Sequence, residues 1–279
     1  MKTISFTKMA GAGNDFIVVD NRLDLIKKDA AKFAKKFCNR KLSIGADGLI
    51  LLEKSSAVGG SASGGKKADI RMRILNPDGS EAEMCGNGVR CLAKFAVDHR
   101  ITGPKLSIET PAGMIYAEVK GDSVKARMVE PQDLELNLEV RVNGHKELLN
   151  FINTGVPHAV KLVGSVSNCD VEALGGTIRR HERFAPRGTN VDFISPRKDN
   201  SIDIRTYERG VEGETLACGT GSTAAALVVA AVRNFKSPVL VHTKGGEVLK
   251  VYFSRTGVHF HNVYLEGRIQ KSFEGRVGL

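Results

Sequence analysis

The sequence predicts a mixed α/β (α+β) chain built from two pseudo-symmetric domains, and three observations carry that prediction. One eight-residue pattern occurs twice: Glu81-Ala82-Glu83-Met84-Cys85-Gly86-Asn87-Gly88 and Glu214-Thr215-Leu216-Ala217-Cys218-Gly219-Thr220-Gly221 both spell E-x-x-x-C-G-x-G. The offset of 133 residues between the two cysteines also carries Thr110-Pro111-Ala112-Gly113 onto Thr243-Lys244-Gly245-Gly246, a shared T-x-x-G. Each cysteine pattern runs straight into apolar residues at helical spacing, and runs of alternating character follow. A helix start and a turn repeated at one spacing mark a duplicated unit. A chain of 279 residues is long enough for two domains of ordinary size.

The elements follow in order. Residues 2–8 alternate as a strand and lead into Gly11-Ala12-Gly13-Asn14-Asp15-Phe16, then the apolar run Ile17-Val18-Val19. Glycines there let backbone approach a ligand, and Asn14 offers an amide; the same residues also make an ordinary turn. Residues 29–38 read as an amphipathic helix, and Ile44 to Leu52 as a turn entering a buried strand. Ser55 to Gly65 is Gly/Ser-rich without periodicity, which reads as a mobile surface loop. Ala68 to Leu75 alternates as a strand, and Asn76-Pro77-Asp78-Gly79 turns. Val89, Leu92, Ala93, Ala96 and Val97 then recur at helical spacing, placing Cys85 at a helix N-terminus. Strands are expected at 105–110, 114–119 and 123–129. The join lies near Glu130-Pro131-Gln132-Asp133, giving a first domain of residues 1–130 completed by 268–279, and a second of 131–267. The second half opens with strands, and Val171 to Arg179 reads as a short helix. Strands follow Gly188 and run from Ile202 to Tyr207. Ala224 to Val232 is apolar on every side, so the helix after Cys218 is buried. Strands at 238–243, 247–253 and 257–266 close the domain.

Composition narrows the function. Net charge is +10, but the basic residues are scattered; only Lys27, Lys28, Lys32, Lys35, Lys36, Arg40 and Lys41 cluster. On a helix they decorate a solvated face, so no nucleic-acid partner is expected. The apolar run of nine residues is far short of the roughly 20 that span a bilayer, so no membrane association is expected. Met1 to Lys8 has no apolar signal region, which points to the cytoplasm. Five cysteines (38, 85, 91, 169 and 218) are too sparse for a disulfide scaffold, and none pair as C-x-x-C. Free thiols and no metal site are the expectation.

A thiol at a helix start sits beside free backbone N–H groups and the positive end of the dipole. The glycines of C-G-x-G let that backbone wrap an anion. A dipole contribution of up to ~2 kcal/mol would lower a cysteine pKa by about 1.5 from about 8.5. Two such thiols facing each other across the join suit one reaction: one base removes a proton from a carbon, and the second returns one from the far side. The stereocentre inverts without metal or carbonyl cofactor. Cys38, Cys91 and Cys169 lack this setting and read as small buried hydrophobes.

At these residues the chain resembles the diaminopimelate epimerase family. The resemblance spans essentially the whole sequence: Gly13-Asn14-Asp15-Phe16, Gly45-Ala46-Asp47-Gly48, Asn76 with Gly79-Ser80-Glu81, MCGNGVRC at 84–91, GVPH at 155–158, Gly188-Thr189-Asn190-Val191, Glu208-Arg209-Gly210 and ACGTGS at 217–222. It implies interconversion of LL- and meso-2,6-diaminopimelate on the route to lysine and peptidoglycan, without pyridoxal phosphate. The implied fold is two similar α/β domains, each a mostly antiparallel sheet wrapped around a central helix, and the implied assembly is a homodimer. Cys85 and Cys218 would be the acid/base pair. Backbone N–H groups of Gly86, Asn87, Gly219 and Thr220 would hold the reacting carboxylate, and Glu208 the α-ammonium. Asn14, Asn76, Asn190 and Arg209 would grip the distal end, and His158, near Cys85 in family members, would tune the site. The chain departs from the family at Val156, where Asn is frequent and normally contacts the distal end. Three rivals remain open: proline racemases, which usually carry His where this chain has Asn87; phenazine-pathway isomerases, which lack the cysteine pair; and a basic nucleic-acid-binding module with non-catalytic cysteines.

Overall fold

The computed structural model describes residues 3–26, 29–55 and 67–278. Lys27, Lys28 and all but the first residue of the Gly/Ser-rich stretch lie outside them. The chain separates into two compact units, Met1–Ala126 with Gly267–Leu279, and Arg127–Glu266.

The first unit contains β1 (Thr3–Gly11), β2 (Asn14–Asp20), α1 (Ala30–Phe37), β3 (Gly48–Glu53), β4 (Ile70–Leu75), β5 (Glu81–Ala82), α2 (Gly86–Asp98), β6 (Lys105–Thr110), β7 (Gly113–Lys120) and β8 (Ser123–Arg127). The strands pair in the order β1-β2-β3-β4-β6-β7-β8, with β5 beside β4. Among the described residues of this unit only β2–β3 and β4–β6 are parallel. Those are the two connections that carry a helix, as a parallel crossover requires.

The second unit contains β9 (Gln132–Val142), β10 (His145–Asn153), β11 (Pro157–Leu162), α3 (Val171–Arg179), β12 (Asn190–Pro196), β13 (Ser201–Glu208), β14 (Gly213–Thr215), α4 (Gly219–Arg233), β15 (Val239–His242), β16 (Val248–Thr256) and β17 (His259–Arg268). Its order is β9-β10-β11-β12-β13-β15-β16-β17, with β14 beside β13. Again only the helix-bearing connections, β11–β12 and β13–β15, are parallel. β18 (Gln270–Gly278) belongs to the first unit and pairs with β1, the position that β9 takes beside β10.

Alternation along the strands decides which helix each side chain meets. In the first unit Phe16, Val18, Ile50, Leu52, Met72 and Ile74 pack with Leu92 and Ala96 of α2. Their neighbours Ile17, Val19, Leu49, Leu51 and Leu75 pack with Phe33 and Phe37 of α1. In the second unit Ala159, Val191, Phe193 and Tyr207 pack with Val171 and Ile178 of α3. That leaves the intervening residues for α4, which touches β10, β11, β12, β13, β15 and β16. Each sheet thus wraps a central helix. Gly221 to Ala230 of α4 are all buried, so a helix without a polar face is what this position needs.

The T-x-x-G pattern proves to be a turn in each unit. Thr110 Oγ1 bonds the Gly113 carbonyl at 2.8 Å, and Thr243 Oγ1 bonds the Glu247 carbonyl at 3.0 Å. Gly113 and Gly246 have φ of +119° and +84°, conformations that favour glycine.

Candidate active site

Cys85 and Cys218 are the N-caps of α2 and α4. Each has extended backbone, and each thiol accepts from the third residue of its helix: Gly88 N–H at 3.5 Å, Gly221 N–H at 3.4 Å. Caps are usually Ser, Thr, Asp or Asn, so a thiol in both places is a weak choice for stability alone. The N–H groups of Gly86, Asn87, Gly219 and Thr220 belong to the first turns, where no intrahelical acceptor exists. Thr154 Oγ1 steadies the second turn by donating to the Thr220 carbonyl at 3.0 Å.

The glutamate of each repeated pattern is structural. Glu81 takes a bidentate pair from Arg73 at 3.0 Å for both bonds, and Glu214 takes one from Arg205 at 2.6 and 2.8 Å. Arg73 and Arg205 hold the two carboxylates below their ordinary pKa despite partial burial. The pairs anchor β5 and β14, the short strands that deliver the cysteines to their helices.

The expectation that the helix dipole lowers the thiol pKa is overturned at Cys218. Burial pushes its pKa well above the ordinary value, and the charges of Glu208 and Asp192 push it further. The bonds from Thr220 and Gly221 act the other way but are outweighed. Desolvation acts on the whole thiolate charge, whereas the dipole supplies only a fraction of a charge at the helix end. Glu208 is itself raised by burial, with the Thr215 hydroxyl opposing and Asp192 adding to the rise. Cys38 and Cys91 are buried; burial lifts Cys38 to about 11. Cys169 is half-buried, and burial raises it as well.

The polar residues expected at the distal end are tied to the chain in different ways. Asn14 donates to Asp47 Oδ2 at 3.0 Å and accepts from Asn87 Nδ2 at 2.7 Å, so the start of β2 is fastened to the start of α2. Asp47 also receives the Asp15 N–H at 3.1 Å, and Arg40 bridges Asp15 and Asp47 at 2.5 and 2.7 Å. Burial raises Asp15, but Arg40 and Lys8 outweigh it and hold the group at about 2. Asn76 stays in its exposed turn and donates to Ser80 Oγ at 3.0 Å. Asn190 donates to the Pro157 carbonyl at 3.0 Å and accepts the Arg209 N–H at 2.9 Å, which brings the GVPH and Glu208-Arg209 segments together. An amide in such bonds keeps a second hydrogen and a second lone pair for a ligand. His158 is fully buried, with Nδ1 2.7 Å from Asp192 Oδ2. Asp192 was not singled out by the sequence reading. It lies one step beyond the Asn190-Val191 match, in a strand that reads as core.

The two first turns differ in what lies beneath them. A methyl group added at Gly88 would meet the flexible Cδ1 atoms of Ile74 and Ile50 at 3.1 and 3.3 Å. One added at Gly221 would fall 2.4 Å from Asp192 Oδ1, which Thr206 also holds at 2.7 Å. We expect Gly221→Ala to cost roughly 1–3 kcal/mol, because a fixed carboxylate must move. Gly88→Ala should stay within about 1 kcal/mol of wild type. Urea unfolding of both variants checks this, and equal losses would contradict it.

Comparison with known proteins places this geometry. The family model described as diaminopimelate epimerase matches residues 6–133 and 150–269. The diaminopimelate epimerase of Aquifex aeolicus (strain VF5) is 43% identical, with 98% of each chain covered. That of Hydrogenobaculum sp. (strain Y04AAS1) is 41% identical, with 96% of each covered. Among solved structures, a phenazine biosynthesis protein of the PhzF family from Bacillus anthracis superposes with a TM-score of 0.76 at 18% identity, covering 100% of both chains. A probable proline racemase from Agrobacterium radiobacter K84 gives 0.69 at 17% identity, covering 99% of this chain and 93% of that one. At such identities these two likenesses establish the fold alone: the rival families are relatives in architecture. The sequence relatives and the family model go further, and the chain belongs to the diaminopimelate epimerase family.

Proposed function

We propose that this protein is an isomerase that inverts one α-carbon of 2,6-diaminopimelate, converting the LL form to the meso form for lysine and peptidoglycan precursors. It does so without pyridoxal phosphate. Cys85 and Cys218 share the proton work, one as thiolate base and the other as thiol acid. The observation that carries this reading is the equivalence of the two cysteines, each capping the central helix of its unit and bonded to the same first-turn N–H. In the reading, Gly86, Asn87, Gly219 and Thr220 offer backbone N–H groups to the reacting carboxylate, stabilising charge that builds up on the adjacent carbon. Glu208 receives the α-ammonium. Asn14, Asn76, Asn190 and Arg209 select the distal amino-acid end, where Val156 stands in place of the family's frequent Asn. The protein acts as a cytoplasmic homodimer.

Purified protein supplied with LL-diaminopimelate, and separately with L-proline, tests the substrate. The expected result is conversion to the meso form with no racemisation of proline. Proline racemisation with inert diaminopimelate would overturn it, as would no isomerisation of either combined with retention on heparin at physiological salt.

A further inference from the structure

The duplication provides an internal control for the second unit. Phe16 pairs with Gly48, and Ile50 with Ile74, on the α2 face of β2, β3 and β4. The matching registers of β11, β12 and β13 pair His158 with Asn190, and Asp192 with Thr206. His158, Asp192 and Thr206 therefore occupy the positions of Phe16, Ile50 and Ile74. The match extends to the helix above, where Gly88 rests on the two isoleucines and Gly221 on the aspartate. One fold fills the same space with hydrocarbon in one unit and with a buried polar triad in the other.

The apolar set shows that packing under the first turn does not require polar groups. Burying them is costly unless each is bonded. Both oxygens of Asp192 are used, Oδ2 by His158 Nδ1 and Oδ1 by the Thr206 hydroxyl, each at 2.7 Å. His158 Nε2 is buried and has no hydrogen-bond partner among the described residues. The triad is thus satisfied everywhere except at one buried ring nitrogen.

We infer that Asp192, which lies beneath the Cys218 helix turn, is a positioning residue: together with Thr206 it locks His158 as the Nδ1–H tautomer and leaves the buried Nε2 as a bare acceptor. A carboxylate only accepts, so the proton between the two groups sits on Nδ1, and the lone pair of the neutral ring falls on Nε2. An acceptor kept unpaired in a buried place destabilises the protein until a donor arrives. Its use is to receive a hydrogen bond when the site is loaded.

The kinetic arm of the test rests on the proposed epimerase reading; the spectroscopic arm does not. Protein labelled with 15N in its imidazoles, with His158 assigned from the signals missing in His158→Phe, reads the tautomer directly. In the wild-type ring we expect Nδ1 to carry the proton and Nε2 to be bare. In Asp192→Asn the carboxamide can turn its NH2 towards Nδ1, so the proton should move to Nε2. Its kcat should fall roughly 10- to 100-fold, with KM changed only a few-fold. The triple variant H158F/D192I/T206I copies the first unit's apolar set. It should melt no lower than wild type and yet lose turnover, which separates function from packing. A proton on Nε2 of the wild-type ring overturns the proposal, whatever the substrate proves to be. So does Asp192→Asn with unchanged imidazole signals and wild-type kcat, or a triple variant with wild-type turnover. Should Asp192→Asn fail to fold, the wild-type tautomer and the triple variant still decide.

Discussion

Replacing Cys85 or Cys218 by Ala should abolish inversion of LL-diaminopimelate, a loss of about 10²–10⁴-fold or more for removal of a general acid or base. Each thiol serves as base in one direction and acid in the other, so neither direction survives. Exchange without inversion need not be lost, since the remaining thiol still serves one isomer. The isotopic signature in D2O separates two bases from one. At early conversion from LL substrate, the meso product should carry deuterium at the inverted carbon, and unreacted LL substrate should carry little. A single base that exchanges its proton with solvent and returns it to either face would label both alike. The serine variants are the folding control, because a hydroxyl is a preferred cap and should preserve α2 and α4. Cys38→Ala, Cys91→Ala and Cys169→Ala should keep turnover within a few-fold apart from packing losses, the first two lying in cores and the third bonded to the Ser165 carbonyl. Equal deuterium in recovered substrate and product, or full activity in either Cys85→Ala or Cys218→Ala, would defeat the assignment.

The pH profile of kcat/KM should be a bell, because turnover needs one thiol and one thiolate together and the pair titrates in coupled steps. The sign at Cys218 follows from its surroundings. Burial, then the charges of Glu208 and Asp192, all disfavour the thiolate, so its proton is held beyond the ordinary cysteine value of about 8.5. The alkaline limb, where the pair loses its last proton, should therefore lie on the high side of that value. Glu208→Gln removes one of the opposing charges and should move this limb to lower pH, in addition to weakening substrate binding. A profile that rises to a plateau and stays there would rule out a shared proton. An alkaline limb that Glu208→Gln leaves in place would remove Glu208 from the electrostatics of the thiol.

Much of the architecture was legible because its causes are local or repetitive. The apolar run from Ala224 to Val232 announced a buried helix, and α4 buries Gly221 to Ala230 without interruption. Val171 to Arg179 carried a helical pattern and forms α3 with those bounds. The paired T-x-x-G patterns announced turns and are turns. The cysteines were legible as caps because glycines and an apolar helix follow each one. The glutamates of the same pattern were not legible as structural, since their arginine partners lie eight and nine residues earlier, across a strand pair.

The sequence by itself determined the duplication, the two helix-capping thiols and the family resemblance, because each is written in residues close together in the chain and repeated at one spacing. Tertiary structure decided what surrounds those thiols. No local pattern could show that β11, β12 and β13 bring His158, Asp192 and Thr206 together under α4, while the same registers in the first unit bring together Phe16, Ile50 and Ile74. Nor could it reverse the expected pKa of Cys218. A helix dipole is a property of the local backbone and can be inferred from a cap; desolvation and the charges of Glu208 and Asp192 exist only once distant strands have closed around the sulfur.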